Sequence, residues 1–276
     1  MEFSFGKNWL SYSKSALDDR RIASAREAFT ALTRGVEMRE ARFLDIGFGQ
    51  GLALFLAAEA GANVFGIDLD PICEEALEAT GRFFPSITQP KTGFVSILDD
   101  DFVRTQQEAG GFDVVHSWGV LHHTSDMLKA FRNTAALVRK GGYLIISIYN
   151  RHWSSPLWRM VKSCYNHLPP SLQQGLVFGL YPIFYLRARS LAGKSAPLTL
   201  RGMDLLHDVR DWLGGYPYEY ASPREVEQRF AELGFHLVRC NPATGFTGCN
   251  EFVFQNTGSE DSKRNGVSYP DTRQIA

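Results

Sequence analysis

The chain has 276 residues and a formal charge of −1 at pH 7, enough for one sizeable α/β domain with an elaboration, or for two small ones. So even a balance gives no electrostatic argument for nucleic acid or an anionic membrane, and no apolar run reaches the ~20 residues of a membrane span. MEFSFGKNW lacks the apolar core of a signal peptide, and the four cysteines (73, 164, 240 and 249) have no metal spacing, so a cytoplasmic protein with reduced thiols and no bound metal is expected.

At the N-terminus, aromatic residues and Lys7 in FSFGKNWLSYS precede a helix predicted from Ala16 to Thr33. Arg42–Gly47 reads as a strand, Leu52–Ala60 as an Ala/Leu-rich helix, Ala62–Asp68 as a second strand and Pro71–Thr80 as a helix with proline in its first turn. Phe94–Ile97 reads as a third strand and FDVVHSW, Phe112–Trp118, as a fourth. Met127–Val138 is amphipathic, with Gly141-Gly142 as its stop signal, and YLIISIY, Tyr143–Tyr149, is a fifth strand. Strands alternating with helices predict a doubly wound, mostly parallel sheet covered on both faces.

The pattern breaks between 150 and 221, a stretch rich in aromatics, proline and arginine. LVFGLYPIFYL is expected to be a buried helical cover, with a membrane-facing or dimer surface as the alternative, and HDVRDWLGGYPYE a loop presenting polar groups to a ligand. SPREVEQRFAELGF restores order with a capping box, Ser222 and Glu225, around Pro223. Phe235–Asn241 and Asn250–Gln255 then form a closing hairpin, with Cys240 and Cys249 on neighbouring strands. The expected organisation is an N-terminal helical cap (1–40), a ligand-binding core (41–150 and 222–256), an inserted substrate-side cover (151–221) and a disordered tail (257–276).

FLDIGFGQG carries the chemistry. A glycine-rich turn between first strand and first helix marks a nucleotide site in a doubly wound fold. The spacing Gly47-x-Gly49-x-Gly51 departs from the dinucleotide GxGxxG, and Asp45 stands where it repels a diphosphate and suits a cation. A ligand end bearing both ammonium and carboxylate, such as that of S-adenosyl-L-methionine, fits. Asp68, 23 residues after Asp45, is placed for the ribose hydroxyls, and Asp99 or Asp100 for the adenine amino group.

LDIGFGQG, GIDLDP, FDVVHSWGVLHHTSDMLKAF and LVRKGGYLIISIYN resemble the motifs of class I S-adenosylmethionine-dependent methyltransferases, most closely the small-molecule branch that includes ubiquinone-biosynthesis enzymes. The resemblance covers residues 40–150 and 222–256 and implies a seven-stranded Rossmann-like sheet with its last strand antiparallel. It implies Asp45, Gly47, Gly49 and Gly51 at the methionine end, Asp68 and Leu69 at the ribose, Asp99 at the adenine, and Ser117 and Trp118 beside the sulfonium. In such enzymes an N-terminal segment often folds over the cofactor, which gives Trp9 and Tyr12 as closing residues.

Methyl transfer is an in-line displacement, and a base is needed only for a protonated acceptor. His122 and His123 are the candidate bases. Tyr149, Asn150, Asp211, Trp212, Tyr216, Glu219, Asn250 and Glu251 are the candidate acceptor-binding residues. The expected partner is a small-molecule acceptor, oxygen preferred over nitrogen, with no nucleic acid and no integral membrane contact; oligomeric state is open. An NAD-dependent oxidoreductase and a non-catalytic Rossmann-like module are the alternatives.

Overall fold

The computed structural model describes residues 5–192, 203–243 and 248–258. Seven strands form one sheet: β1 (Arg42–Ile46), β2 (Asn63–Asp68), β3 (Lys91–Phe94), β4 (Phe112–Trp118), β5 (Val138–Tyr149), β6 (Phe235–Asn241) and β7 (Cys249–Asn256). Their order is β3-β2-β1-β4-β5-β7-β6, with β7 antiparallel to both neighbours and all other pairs parallel. The predicted sheet class and its antiparallel last strand are therefore observed.

Ten α-helices are described: α1 (Phe5–Ser15), α2 (Asp19–Leu32), α3 (Leu52–Glu59), α4 (Ile72–Gly81), α5 (Asp100–Glu108), α6 (Met127–Ala136), α7 (Ser155–Asn166), α8 (Pro170–Ala192), α9 (Leu205–Gly214) and α10 (Pro223–Glu232). The central strands are apolar almost throughout because each face packs on helices. Phe43, Val114 and Ile145 meet Phe29 of α2 and Phe55 of α3 on one face. Leu44, Val115 and Ile146 meet Phe131 of α6 and Phe230 of α10 on the other. Both cores hold the carboxyl ends of the strands open toward one rim, where ligands bind in this architecture.

Four local expectations are corrected. The helix expected from Ala16 begins at Asp19, because Asp18 caps α2 by accepting from the Arg21 amide at 2.8 Å, and the aromatic stretch ahead of it is a helix of its own, α1. The third strand lies upstream of Phe94–Ile97, and α5, capped by Asp99, follows it. Gly141-Gly142 do not stop α6, which ends at Ala136; they lie within β5, beside an irregularity against β4. HDVRDWLG is helix α9 rather than a loop, with Asp204 capping it at the His207 amide. The Ser222–Glu225 capping box forms as expected. Cys240 pairs with Phe252 and Cys249 with Tyr149, so the two thiols are not opposite one another, and none of the four cysteines is in a disulfide. The expected tail lies outside the described residues beyond 258.

Candidate active site

The turn between β1 and α3 is built from three glycines in the left-handed region, with φ of 72° at Gly47, 55° at Gly49 and 74° at Gly51. A Cβ at Gly51 would lie 1.9 Å from Leu77 of α4, and one at Gly47 2.4 Å from Val120. The turn is thus glycine both for its backbone conformation and for want of room. Trp9 of α1 covers it, its indole 3.0 Å from where a Gly49 Cβ would stand. Tyr12, the other expected closing residue, is fully buried behind Trp9 and packs edge-on to it and to His207. It braces α1 rather than lining the cleft.

Below the turn lies a cavity of about 130 Å³, lined by Trp9, Gly47, Gly49, Trp118, Met203 and others. Its titratable lining is Asp45 and His116, neighbours in the β1–β4 register. Asp45 Oδ1 stands 2.7 Å from His116 Nδ1, and His116 Nε2 has no partner. A carboxylate oxygen accepts, so His116 Nδ1 is the donor in this pair. Asp45 Oδ2 is left to receive a cation. The donor set therefore fits a ligand ammonium and gives a diphosphate nothing. A larger cavity, about 710 Å³, lies at the opposite end of the sheet, beside Arg42, Asn63, Lys91 and Phe112, away from the rim that binds ligands in this fold.

At the end of β2, Asp68 accepts from the Gly49 amide at 3.0 Å, the Leu69 amide at 2.7 Å and the Asp70 amide at 3.0 Å. Burial raises its carboxyl above the ordinary range despite these bonds. One carboxylate thus locks the glycine turn to the end of β2. Leu69 beside it is 71% exposed, an apolar wall open at the rim. Asp99 is occupied in capping α5, through Asp101 and Phe102 amides. Asp100 is turned outward to Lys129 and Asn133 of α6, which removes it from the adenine position. Ser117 does not line the cavity. It is fully buried, and its hydroxyl donates to the Ile46 carbonyl, tying β4 to β1. Trp118 lines the cavity and donates to Glu251 Oε1 at 3.1 Å.

The two histidines after β4 hold opposite tautomers. His122 accepts the Tyr149 amide at Nδ1 and bonds the Ser147 backbone, so its proton is on Nε2 and both nitrogens are committed. It is fully buried and structural, and burial holds it neutral, well below the usual range. His123 is half-buried and donates from Nδ1 to the Pro217 carbonyl at 2.5 Å, which leaves the Nε2 lone pair available. Burial and then the Lys162 charge push it down to about 3. Of the pair, His123 alone has the geometry of a base.

Lys162 of α7 is a group the sequence reading missed. Its side chain is fully buried, donates to the Trp212 carbonyl near the end of α9, and lies 4.9 to 5.2 Å from the ring centres of Tyr149, Trp212 and Tyr218. Burial takes it down to about 7. On α9, Asp211 is raised to about 7 by burial and then by Asp208, and its Oδ1 has no partner. Tyr149, Asp211 and Trp212 are therefore brought together as expected, around a cation. Asn150, Asn250 and Glu251 are not. Asn250 clamps the closing hairpin, donating to Asn150 Oδ1 and accepting the Ala243 amide, while Glu251 is shared between Trp118 and Asn241. Glu219 holds the first turn of α6 through the Met127 amide at 3.1 Å. Tyr216 is half-buried beside Pro217.

An open doubly wound sheet with a bare turn and acids on successive strand ends defines a Rossmann-like protein that binds a nucleoside ligand. Residues 18–239 match the family model described as a methyltransferase domain, so the chain belongs to the methyltransferase-domain family. It is 33% identical over 120 residues to a ubiquinone biosynthesis O-methyltransferase of Vibrio parahaemolyticus, covering 44% of this chain and 48% of that one. It is 30% identical over 136 residues to one from Marinobacter nauticus, covering 49% and 56%. The chain thus spans about half the length of the curated relatives it matches. Among solved structures, magnesium protoporphyrin IX methyltransferase of Synechocystis with bound S-adenosylhomocysteine superposes with a TM-score of 0.52 at 15% identity, over 84% of this chain and 81% of that one. An O-methyltransferase family protein of Burkholderia thailandensis gives 0.51 at 16% identity, over 88% and 59%. The class I methyltransferase fold is borne out.

Proposed function

We propose that the protein is an S-adenosyl-L-methionine-dependent methyltransferase acting on the oxygen of a small-molecule acceptor. The observation that carries this reading is the ionic character of the cavity under the glycine turn. Its acid keeps one oxygen on His116, and the neighbouring Asp68 anchors the glycine turn at the end of β2, the place where this fold receives a ribose. S-adenosylmethionine supplies a methyl group already activated on a sulfonium. The protein's own part is to hold, orient and shield. Asp45 takes the ammonium of the amino-acid end, Asp68 takes the ribose, and Trp9 excludes water from above.

On the acceptor side, His123 Nε2, fixed by the Pro217 carbonyl and held down at about 3, stays unprotonated at working pH and accepts a hydrogen bond from the acceptor's hydroxyl, which orients the oxygen as it attacks. This arrangement favours an oxygen acceptor over an amine already neutral at working pH. The similarity of the core to O-methyltransferases of ubiquinone biosynthesis supports the same preference. Thermal denaturation with S-adenosylhomocysteine and, separately, with NAD is the direct test. Ligand at about 100 times Kd stabilises the native state by roughly 2.7 kcal/mol. S-adenosylhomocysteine is expected to raise the melting temperature and NAD to leave it unchanged. The reverse result would establish the oxidoreductase reading, and no shift with either ligand the non-catalytic one.

A further inference from the structure

The near-neutral whole conceals a segregation of charge. Between Asn150 and Met203 the sequence has no Asp or Glu and seven Lys or Arg, which leaves the remainder of the chain at −8 against −1 overall. The same stretch holds the largest exposed apolar side chains. On the outer side of α7, Leu157 and Met160 are 51% and 58% exposed, and Trp153, in the turn just ahead of the helix, is 84% exposed. On α8, Leu172, Leu176, Ile183 and Leu186 form a second such stripe, 55%, 43%, 61% and 68% exposed. The spacing puts each set on one helical face. The opposite face of α8 is satisfied, with Val177 buried against α9 residues Leu205, Val209 and Leu213. The expectation of a buried cover therefore holds for only one side of α8.

We propose that the outer face of α7 and α8 docks on a bilayer surface bearing anionic headgroups. Two apolar stripes of this size on a water-soluble surface mark an interaction face. An apolar face flanked by basic residues and free of acids is the pattern of a helix lying in the interfacial plane, where apolar burial and attraction to anionic lipid add. Arg159 is exposed beside the α7 stripe, Arg151 is exposed there too but paired with Glu225 of α10 at 2.8 Å, and Arg189 continues the basic character at the end of α8. A second copy of the chain is disfavoured as occupant, since an isologous contact would set this stretch, with seven Lys or Arg and no acid, against its own copy. Among the described residues no helix is long and apolar enough to cross a membrane, so the face lies on the bilayer.

The test is co-sedimentation of the full chain with vesicles of phosphatidylcholine alone, or with a quarter of the lipid replaced by phosphatidylglycerol. The expected results are at least tenfold stronger partitioning into the anionic vesicles and a severalfold loss on raising salt from about 0.1 to 0.5 M. The double variant Leu176→Ser/Ile183→Ser alters exposed positions only, and melting and S-adenosylhomocysteine binding confirm that it is folded. It should partition at least tenfold more weakly. Quenching of tryptophan emission by brominated acyl chains should fall in Trp153→Phe. No partitioning, equal partitioning into neutral vesicles, or full partitioning by the double variant would overturn the proposal. So would a wild-type dimer that this variant converts to monomer, which would assign the face to a second copy. None of these readouts depends on methyl transfer, so the proposal stands or falls apart from the proposed function.

Discussion

Replacing Lys162 with methionine tests the interior of the inserted segment most sharply. The substitution keeps an unbranched chain of similar length in the cage of Tyr149, Trp212 and Tyr218 and deletes the ammonium. The ammonium's folded-state value is lowered from 10.5 to about 7, chiefly by burial. A lysine depressed in the native state binds more protons when unfolded, so wild-type stability rises with pH between about 7 and 10.5. The gap corresponds to roughly 5 kcal/mol over the whole interval, and about 2–3 kcal/mol of it falls between pH 7 and 9. Asp211, raised to about 7, acts oppositely at lower pH: its contribution falls as pH rises from about 4 to 7 and is spent above that. The variant also strands the Trp212 carbonyl, a pH-independent loss of about 1–3 kcal/mol. Urea unfolding of both proteins at pH 7, 8 and 9 measures the difference directly. Wild type should gain about 2–3 kcal/mol on the variant between pH 7 and 9. A difference constant with pH would show that the ammonium is not desolvated, and the account of this cluster would fail.

At Asp68, Asn should weaken S-adenosylhomocysteine binding about ten- to a hundredfold by calorimetry, the worth of a charge-assisted bond, while Ala should also cost stability because three backbone amides lose their acceptor. The raised carboxyl gives a second reading: affinity should fall as pH drops through a range just above that of an ordinary aspartate, as the carboxylate the ribose needs becomes protonated. Gly49→Val should abolish binding, since a side chain there meets Trp9 at 3.0 Å and strains a backbone at φ 55°; normal titration by the variant would put the cofactor elsewhere. His123→Asn should lower kcat about a hundredfold or more with S-adenosylhomocysteine affinity unchanged, whereas His122→Asn should chiefly lower the melting temperature. Equal kcat losses in folded variants would mean that the two tautomers do not divide the roles.

Most of the sheet was legible because its strands carry a signal that needs no partner. RFLDI, NVFGID and FDVVHSW are apolar where both faces are covered, and glycine or proline ends each run. The errors have local physical causes. KTGF is too polar for a strand to announce itself, because β3 is the sheet edge and two of its four residues are exposed. Gly141-Gly142 has the composition of a helix stop, yet these glycines serve a strand irregularity opposite β4, where a Cβ at Gly142 would meet the Asp113 carbonyl at 2.8 Å. HDVRDWLGG looks like a charged loop until its capping residue, Asp204, is counted with it.

The site divides along the same line. The glycine turn and Asp68 follow from a single strand–turn–helix, so spacing alone reached them. His116 could not be found that way. It reads as one polar residue in an apolar strand, and it acquires meaning only through the parallel register that sets it against Asp45. Lys162 is further removed, because its environment is assembled from β5, α7, α9 and the segment before α10. The distinction between His122 and His123 is finer still. Adjacent and chemically identical in the sequence, they are separated by which backbone group reaches which ring nitrogen: an amide at Nδ1 makes one an acceptor there, and a carbonyl at Nδ1 makes the other a donor. The free Nε2 that suits a base thus arises from the Pro217 carbonyl, 94 residues away, and a reading of HHTSD alone had no means of choosing between them.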